Sequence, residues 1–139
     1  MSSHALIQIP QPTEPMTVEL VKSQLERYQH MTIKTGNQLD WEYKEAAFPY
    51  KIVPLEGQEN DAFYLKGMNP LYRYIVFAIE NEATQNENEE IITSKSIIHV
   101  YLVDSSTHGD KGKAIEFCKF LGKQFKGAVH LYNGRVLRY

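Results

Sequence analysis

The run His4 to Ile9 alternates apolar with polar side chains and predicts a short strand. Pro10, Pro12 and Pro15 end it and make a stiff connector, because proline fixes φ and has no N–H to donate. Thr17 stands where a helix cap belongs. Val18, Val21, Leu25, Tyr28 and Met31 then recur at three- and four-residue steps, the apolar stripe of a helix over 17–35, with Gly36 suited to the left-handed residue beyond its end. Leu39, Trp41 and Tyr43 alternate with Asp40 and Glu42, a half-buried strand pattern that does not exclude helix. Tyr50 to Leu55, Ala62 to Lys66 and Tyr72 to Ile79 follow as strands, and Ile75 to Ile79 is apolar enough for both faces to be covered. The span Asn81 to Glu90 is acidic, holds no large apolar residue, and predicts a solvated loop. Ile97 to Val103 is the strongest strand, rich in β-branched residues. The loop Ser105 to Asp110 leads into a second helix over 111–125, with Ala114, Phe117, Cys118, Leu121 and Phe125 as its stripe and Gly127 to close it. Ala128 to Tyr132 and Arg135 to Tyr139 flank Asn133-Gly134, the favoured pair for a type I′ hairpin turn.

The resulting order, β-α-β-β-β-β-β-α-β-β, has consecutive strands joined by short turns. It predicts an α+β fold, a mostly antiparallel sheet with two helices packed on one face and the other face half open or curled over itself. With no repeat of fixed period and no linker, residues 1–139 read as a single domain.

Charge and cysteine usage narrow the class. A net charge of -2 exerts no general pull on nucleic acid or an acidic membrane. Cys118 is the sole cysteine, so no intrachain disulfide forms. Met1 to Pro10 has neither the basic segment nor the apolar run of a signal peptide, and no stretch approaches the roughly 20 apolar residues of a membrane helix. Cytoplasmic placement is expected, with no membrane and no nucleic acid as partner. The charge is uneven: residues 1–107 carry 8 basic and 15 acidic side chains, residues 108–139 carry 7 basic and 2 acidic. Attraction between the halves within one fold accounts for this more simply than an anion-binding face.

The C-terminal third is the most distinctive part. Thr107-His108-Gly109-Asp110-Lys111-Gly112-Lys113-Ala114, Glu116 to Leu121 and His130-Leu131-Tyr132-Asn133-Gly134-Arg135, with Ala46-Ala47-Phe48-Pro49-Tyr50 in the middle, resemble an uncharacterised family of small proteins from Gram-positive spore-forming bacteria. That family is a domain of unknown function. The resemblance therefore implies a stand-alone bacterial domain and no particular activity. Its fold is similar to the FKBP-type prolyl isomerases, in which an antiparallel sheet wraps a helix, but no isomerase motif here allows catalytic positions to be carried over.

Two sets of residues are candidate binding sites. The first is the helix-start loop, with Thr107, His108, Gly109, Lys111 and Lys113 as an anion site, since a loop after a strand that opens a helix is where phosphates bind. The phosphate-loop template fails twice, however: its first glycine falls on Thr107 and its hydroxyl residue on Ala114. The plainer account is a capped helix start, with Thr107 or Asp110 as the cap and the lysines in solvent. The second set is aromatic: Trp41, Tyr43, Phe48 and Tyr50 would line an apolar pocket or peptide groove, or else belong to the core. Asp40, Glu42 and Glu45 nearby oppose the stacking of nucleic-acid bases there.

Catalysis and metal binding find little footing. No histidine pair among His4, His30, His99, His108 and His130 has the i, i+4 spacing of a helical zinc motif. His99 and Tyr101 share one strand face with His130 on a neighbouring strand, a pattern of packing more than of ligation. Cys118 sits within a core stripe, which predicts an unreactive thiol, and Asp104, Ser105, Ser106 and His108 crowd into one loop without a nucleophile-elbow pattern. The expected function is therefore a non-catalytic binding or regulatory module without a cofactor, taking a protein, peptide or small-molecule ligand on an aromatic-lined surface. The alternatives are an FKBP-like peptidyl-prolyl isomerase or degenerate relative, and an anion- or nucleotide-binding protein using the 105–113 loop.

Overall fold

The computed structural model of the protein describes residues 3–10, 12, 14–35, 48–85 and 87–139. In chain order the elements are β1 (Ser3–Pro10), α1 (Val18–Thr35), β2 (Tyr50–Pro54), β3 (Ala62–Gly67), β4 (Tyr74–Gln85), β5 (Ile91–Leu102), α2 (His108–Phe125), β6 (Ala128–His130) and β7 (Val136–Arg138). The seven strands form one sheet in the order β2-β3-β4-β5-β1-β6-β7, and every neighbouring pair is antiparallel. The expected α+β architecture is thus present, with α1 and α2 packed on the sheet.

Strand register places the core. Leu137, Val129, Ile7, Ile98 and Ile79 align across β7, β6, β1, β5 and β4, and Ala5, Val100, Phe77 and Phe63 align in the adjacent row. On this inner face they meet the stripes Val18, Val21 and Leu25 of α1 and Ala114, Phe117, Cys118 and Leu121 of α2 in one buried cluster. Phe63 and Phe77 stack at 5.1 Å between ring centroids. Tyr28 joins the helices, set edge-on to Phe117 and Phe120 at 5.3 Å each. Each such ring removes a large apolar area from water, and that burial is the main favourable term of the fold.

Thr17 caps α1 as expected, accepting from the Leu20 N–H at 3.1 Å. The strand pattern over Leu39 to Tyr43 and the left-handed Gly36 lie outside the described residues. Other local expectations change. The acidic span Asn81 to Glu90 is not all loop: β4 runs on to Gln85 and β5 begins at Ile91, because two antiparallel strands satisfy each other's backbone without any apolar side chain. The left-handed residue after α2 is Lys126 (φ 54°), not Gly127. Gly127 is needed for close approach instead, since a Cβ there would lie 2.7 Å from the Gln8 carbonyl oxygen. The C-terminal hairpin is not a type I′ turn. Leu131 accepts from the Gly134 N–H at 3.0 Å and donates to the Arg135 oxygen at 2.8 Å, so Tyr132 to Gly134 form the loop. Gly134 has φ 84° and Asn133 is not left-handed; Asn133 holds the turn through its side chain, accepting from the Arg135 N–H at 3.0 Å. No described helix is long and apolar enough to cross a membrane.

Two glycine substitutions test this packing in opposite directions. Gly127→Ala presses a methyl group against β1 backbone and is expected to destabilise by ~2–3 kcal/mol. Gly112→Ala, with nothing near its Cβ position, is expected to stabilise by ~0.5–1 kcal/mol through helix propensity. Urea unfolding of the two variants beside the parent reads both.

Candidate functional site

The helix-start loop is built around Asp110. Thr107 and Asp110 form a capping box: the Thr107 hydroxyl oxygen accepts from the Asp110 N–H at 3.1 Å, and the Asp110 carboxylate accepts from the Thr107 N–H at 2.9 Å. The same carboxylate, with the residue 0% exposed, accepts from the Tyr50 hydroxyl at 2.5 Å and from the backbone N–H groups of Arg73 at 2.9 Å and Tyr74 at 3.3 Å. Burial first, then the bond to Asp110, drives the Tyr50 phenol far above its ordinary range, so it stays a donor. The anionic position at this helix start is therefore filled by the protein's own side chain.

The candidate anion residues divide accordingly. Thr107, His108 and Lys111 line a shallow cleft of about 420 Å³ together with Ser3, Asp104 and Ser106. Gly109 is pressed against the neighbouring turn, where an added Cβ would lie 2.8 Å from the Leu71 oxygen. Lys113 pairs with Glu116 at 3.2 Å. The Ser106 hydroxyl is held in structural bonds, donating to the Tyr74 oxygen at 2.8 Å and accepting from the Val103 N–H at 2.9 Å. Burial pushes the Cys118 thiol up to about 12.

Of the aromatic set, Trp41 and Tyr43 lie outside the described residues. Phe48 and Tyr50 are buried, packed edge-on or tilted against Phe117 between sheet and helices. Tyr28 and Tyr72 extend this cluster on either side, Tyr28 against Phe48 and Tyr72 against Tyr50.

The opposite, outer face of the sheet carries a different group. His4, Tyr101, Val76, Tyr64 and Val53 form one row across β1, β5, β4, β3 and β2. His130, Leu6, His99 and Ala78 form the next. The His4 ring stacks on Tyr101 at 4.6 Å with planes 12° apart, and Tyr64 meets Tyr74 edge-on at 5.9 Å. His99 Nε2 is 3.0 Å from Glu80 Oε2 and His99 Nδ1 is 2.7 Å from His4 Nε2. With Nε2–H donating to the carboxylate, Nδ1 is left to accept from His4, which makes a chain Glu80–His99–His4. Glu80 and His4 occupy opposite nitrogens of His99 and so cannot converge on one ion; among the described residues no histidine, cysteine or carboxylate group is arranged to hold a metal. Partial burial, then the repulsion that a second proton would meet beside His99, lowers the His4 pKa from its ordinary value.

Comparison with known proteins gives the family and a fold. A family model described as "Domain of unknown function (DUF1885)" matches residues 3–139. The chain is similar to a solved structure described as "Crystal Structure of Protein of Unknown Function from Bacillus stearothermophilus", at 40% identity over 91% of each chain with a TM-score of 0.56. No curated protein matches.

Two outcomes test the site's electrostatics. Asp110→Ala leaves three N–H groups and a phenol without their acceptor, and is expected to destabilise by ~3–5 kcal/mol, measured by chemical unfolding. For His4, the unfolded chain takes up the proton before the folded one. Its contribution is complete above about pH 6.5 and is lost as pH falls through the lowered value. The melting temperature is expected to drop on that acid side, and His4→Asn to flatten part of the slope.

Proposed function

Because this chain belongs to the DUF1885 family of domains of unknown function, we propose from its geometry alone that it is a non-catalytic binding module of the bacterial cytosol, which takes its ligand across the outer face of the sheet. The observation that carries this reading is the row His4, Tyr101, Val76 and Tyr64, whose side chains are exposed or half-exposed and belong to four adjacent strands. Rings fixed on strands lose little freedom when a ligand covers them, and a ring that is apolar on its face and polar at its edge suits partial exposure. The imidazoles add hydrogen-bonding edges beside those faces. A proline-rich segment fits such a surface, since its preformed extended helix docks on aromatic rows without much ordering.

Titration of the ¹⁵N-labelled protein with a proline-rich peptide tests this. Saturable changes are expected at the amides of His4, Tyr64, Val76 and Tyr101, and Tyr101→Ala is expected to weaken binding ~10-fold. Silence on that face removes the reading. Turnover of an Xaa-Pro substrate above the uncatalysed rate would replace it with an isomerase. Pyrophosphate-induced shifts confined to Thr107–Lys111 would replace it with an anion-binding protein.

A further inference from the structure

The β4–β5 hairpin outruns both of its sheet neighbours. Pairing with β1 stops at Pro10–Lys95 and pairing with β3 stops at Ala62–Ala78. From Ile91 to Ser94, β5 therefore has β4 on one side and, among the described residues, no strand on the other. This edge is one wall of a cleft of about 600 Å³, and Pro12 and Pro15 of the connector stand on the opposite wall. The cleft is braced at its base. The Asn81 amide accepts from the Met16 N–H at 2.9 Å and the Ser96 hydroxyl at 2.6 Å, and donates to the Met16 oxygen at 2.9 Å, pinning the connector to the hairpin.

Two further observations say what fits. Ile91 is 76% exposed and Ile92 44% exposed, so adjacent aliphatic side chains stand in water on a strand edge. The hairpin holds Glu82, Glu87, Glu89 and Glu90; Lys95 pairs with Glu82 at 3.6 Å, and the stretch from Glu87 to Ser94 holds three glutamates and no lysine or arginine. A strand edge without a neighbour is a template for another extended chain, with backbone bonds giving affinity and side chains giving specificity. The acidic surround favours cationic partners and disfavours anionic ones.

We propose that the Ile91–Ser94 edge is a docking site for an extended peptide segment with alternating aliphatic and basic side chains, which adds to β5 as a further strand. The prolines opposite suit this role, since they offer no N–H to compete for the edge. Successive strand residues point to opposite faces, so the aliphatic face of the incoming strand covers Ile91, the more exposed of the two, and its cations lie on the other face toward the glutamates of the hairpin end. This surface is distinct from the outer-face rows and stands independently of them.

The experiment uses two capped peptides, acetyl-Arg-Val-Arg-Val-Arg-Val-amide and its glutamate counterpart, with amide NMR and hydrogen exchange on the whole chain. The basic peptide is expected to give saturable shifts and slowed exchange at Ile91–Ser94, and the acidic peptide none. Ile91→Ser/Ile92→Ser is expected to abolish the effect. Glu87→Gln/Glu89→Asn is expected to weaken it roughly fivefold. Asparagine is chosen at 89 because that residue has φ 60°. Melting curves establish that each variant is folded, and the two peptides compared on the parent chain decide the question even if one is not. Absence of shifts at the edge, or equal binding of both peptides, overturns the proposal. So do edge shifts that follow protein concentration alone, which would assign the edge to a second copy of the chain.

Discussion

The Asp110 side chain is removed from water, and a carboxylate so placed needs every acceptor site filled from within the protein. Its donors come from three separate stretches of chain: Tyr50 at the start of β2, Arg73 and Tyr74 at the start of β4, and Thr107 at the cap of α2. One side chain thereby fixes where α2 begins, how the sheet's outer strands meet it, and how the Tyr50 ring lies in the aromatic cluster. The helix dipole adds to the same point, since its positive end faces the charge. The rest of α2 then lies across β1 and β5 with its stripe on the inner face.

That arrangement divides the molecule by chemistry. The inner face is occupied by aliphatic and aromatic packing, and the anionic position at the helix start by Asp110. Among the described residues, the outer face of the sheet, the overhanging hairpin and the basic side chains of the last third are available to meet other molecules. Lys111, Lys119, Lys123 and Lys126 are all exposed along or just after α2. The acidic hairpin end belongs to a different part of the sheet, so the uneven charge seen along the chain remains a surface property of separate regions.

What sequence could say tracked what is local. The stripe of α1 from Val18 to Tyr28, the stripe of α2 and the Thr107–Asp110 cap are patterns within a few turns of helix and stand where periodicity puts them, while Met31, the last member of the α1 stripe, is exposed. Asn133-Gly134 marked a turn but not its geometry, because the choice between loop types depends on which residue the strands leave in the left-handed position. The overhang of β4 and β5 is invisible to a pattern that assigns polar residues to loops, because ladder hydrogen bonds are indifferent to side-chain polarity. For Phe48 and Tyr50 the sequence favours core over a pocket wall without deciding between them, and only the third dimension does so. His4 and His99 are 95 residues apart, and their contact depends on β1 lying beside β5, which no local signal announces.

The place of β1 has a consequence for how the molecule is made. β1 precedes the other described strands in the chain, yet it is an interior strand of the sheet, flanked by β5 and β6. Both of its neighbours come from the last third of the chain. During synthesis Ala5, Ile7 and Ile9 wait, apolar and unpaired, until β5 and β6 have emerged. The meander β2 to β5 pairs through short connections and can form ahead of it. Closure of the sheet is thus a late event of high sequence separation, the kind that sets a slow folding rate and rewards a chaperone that shields β1.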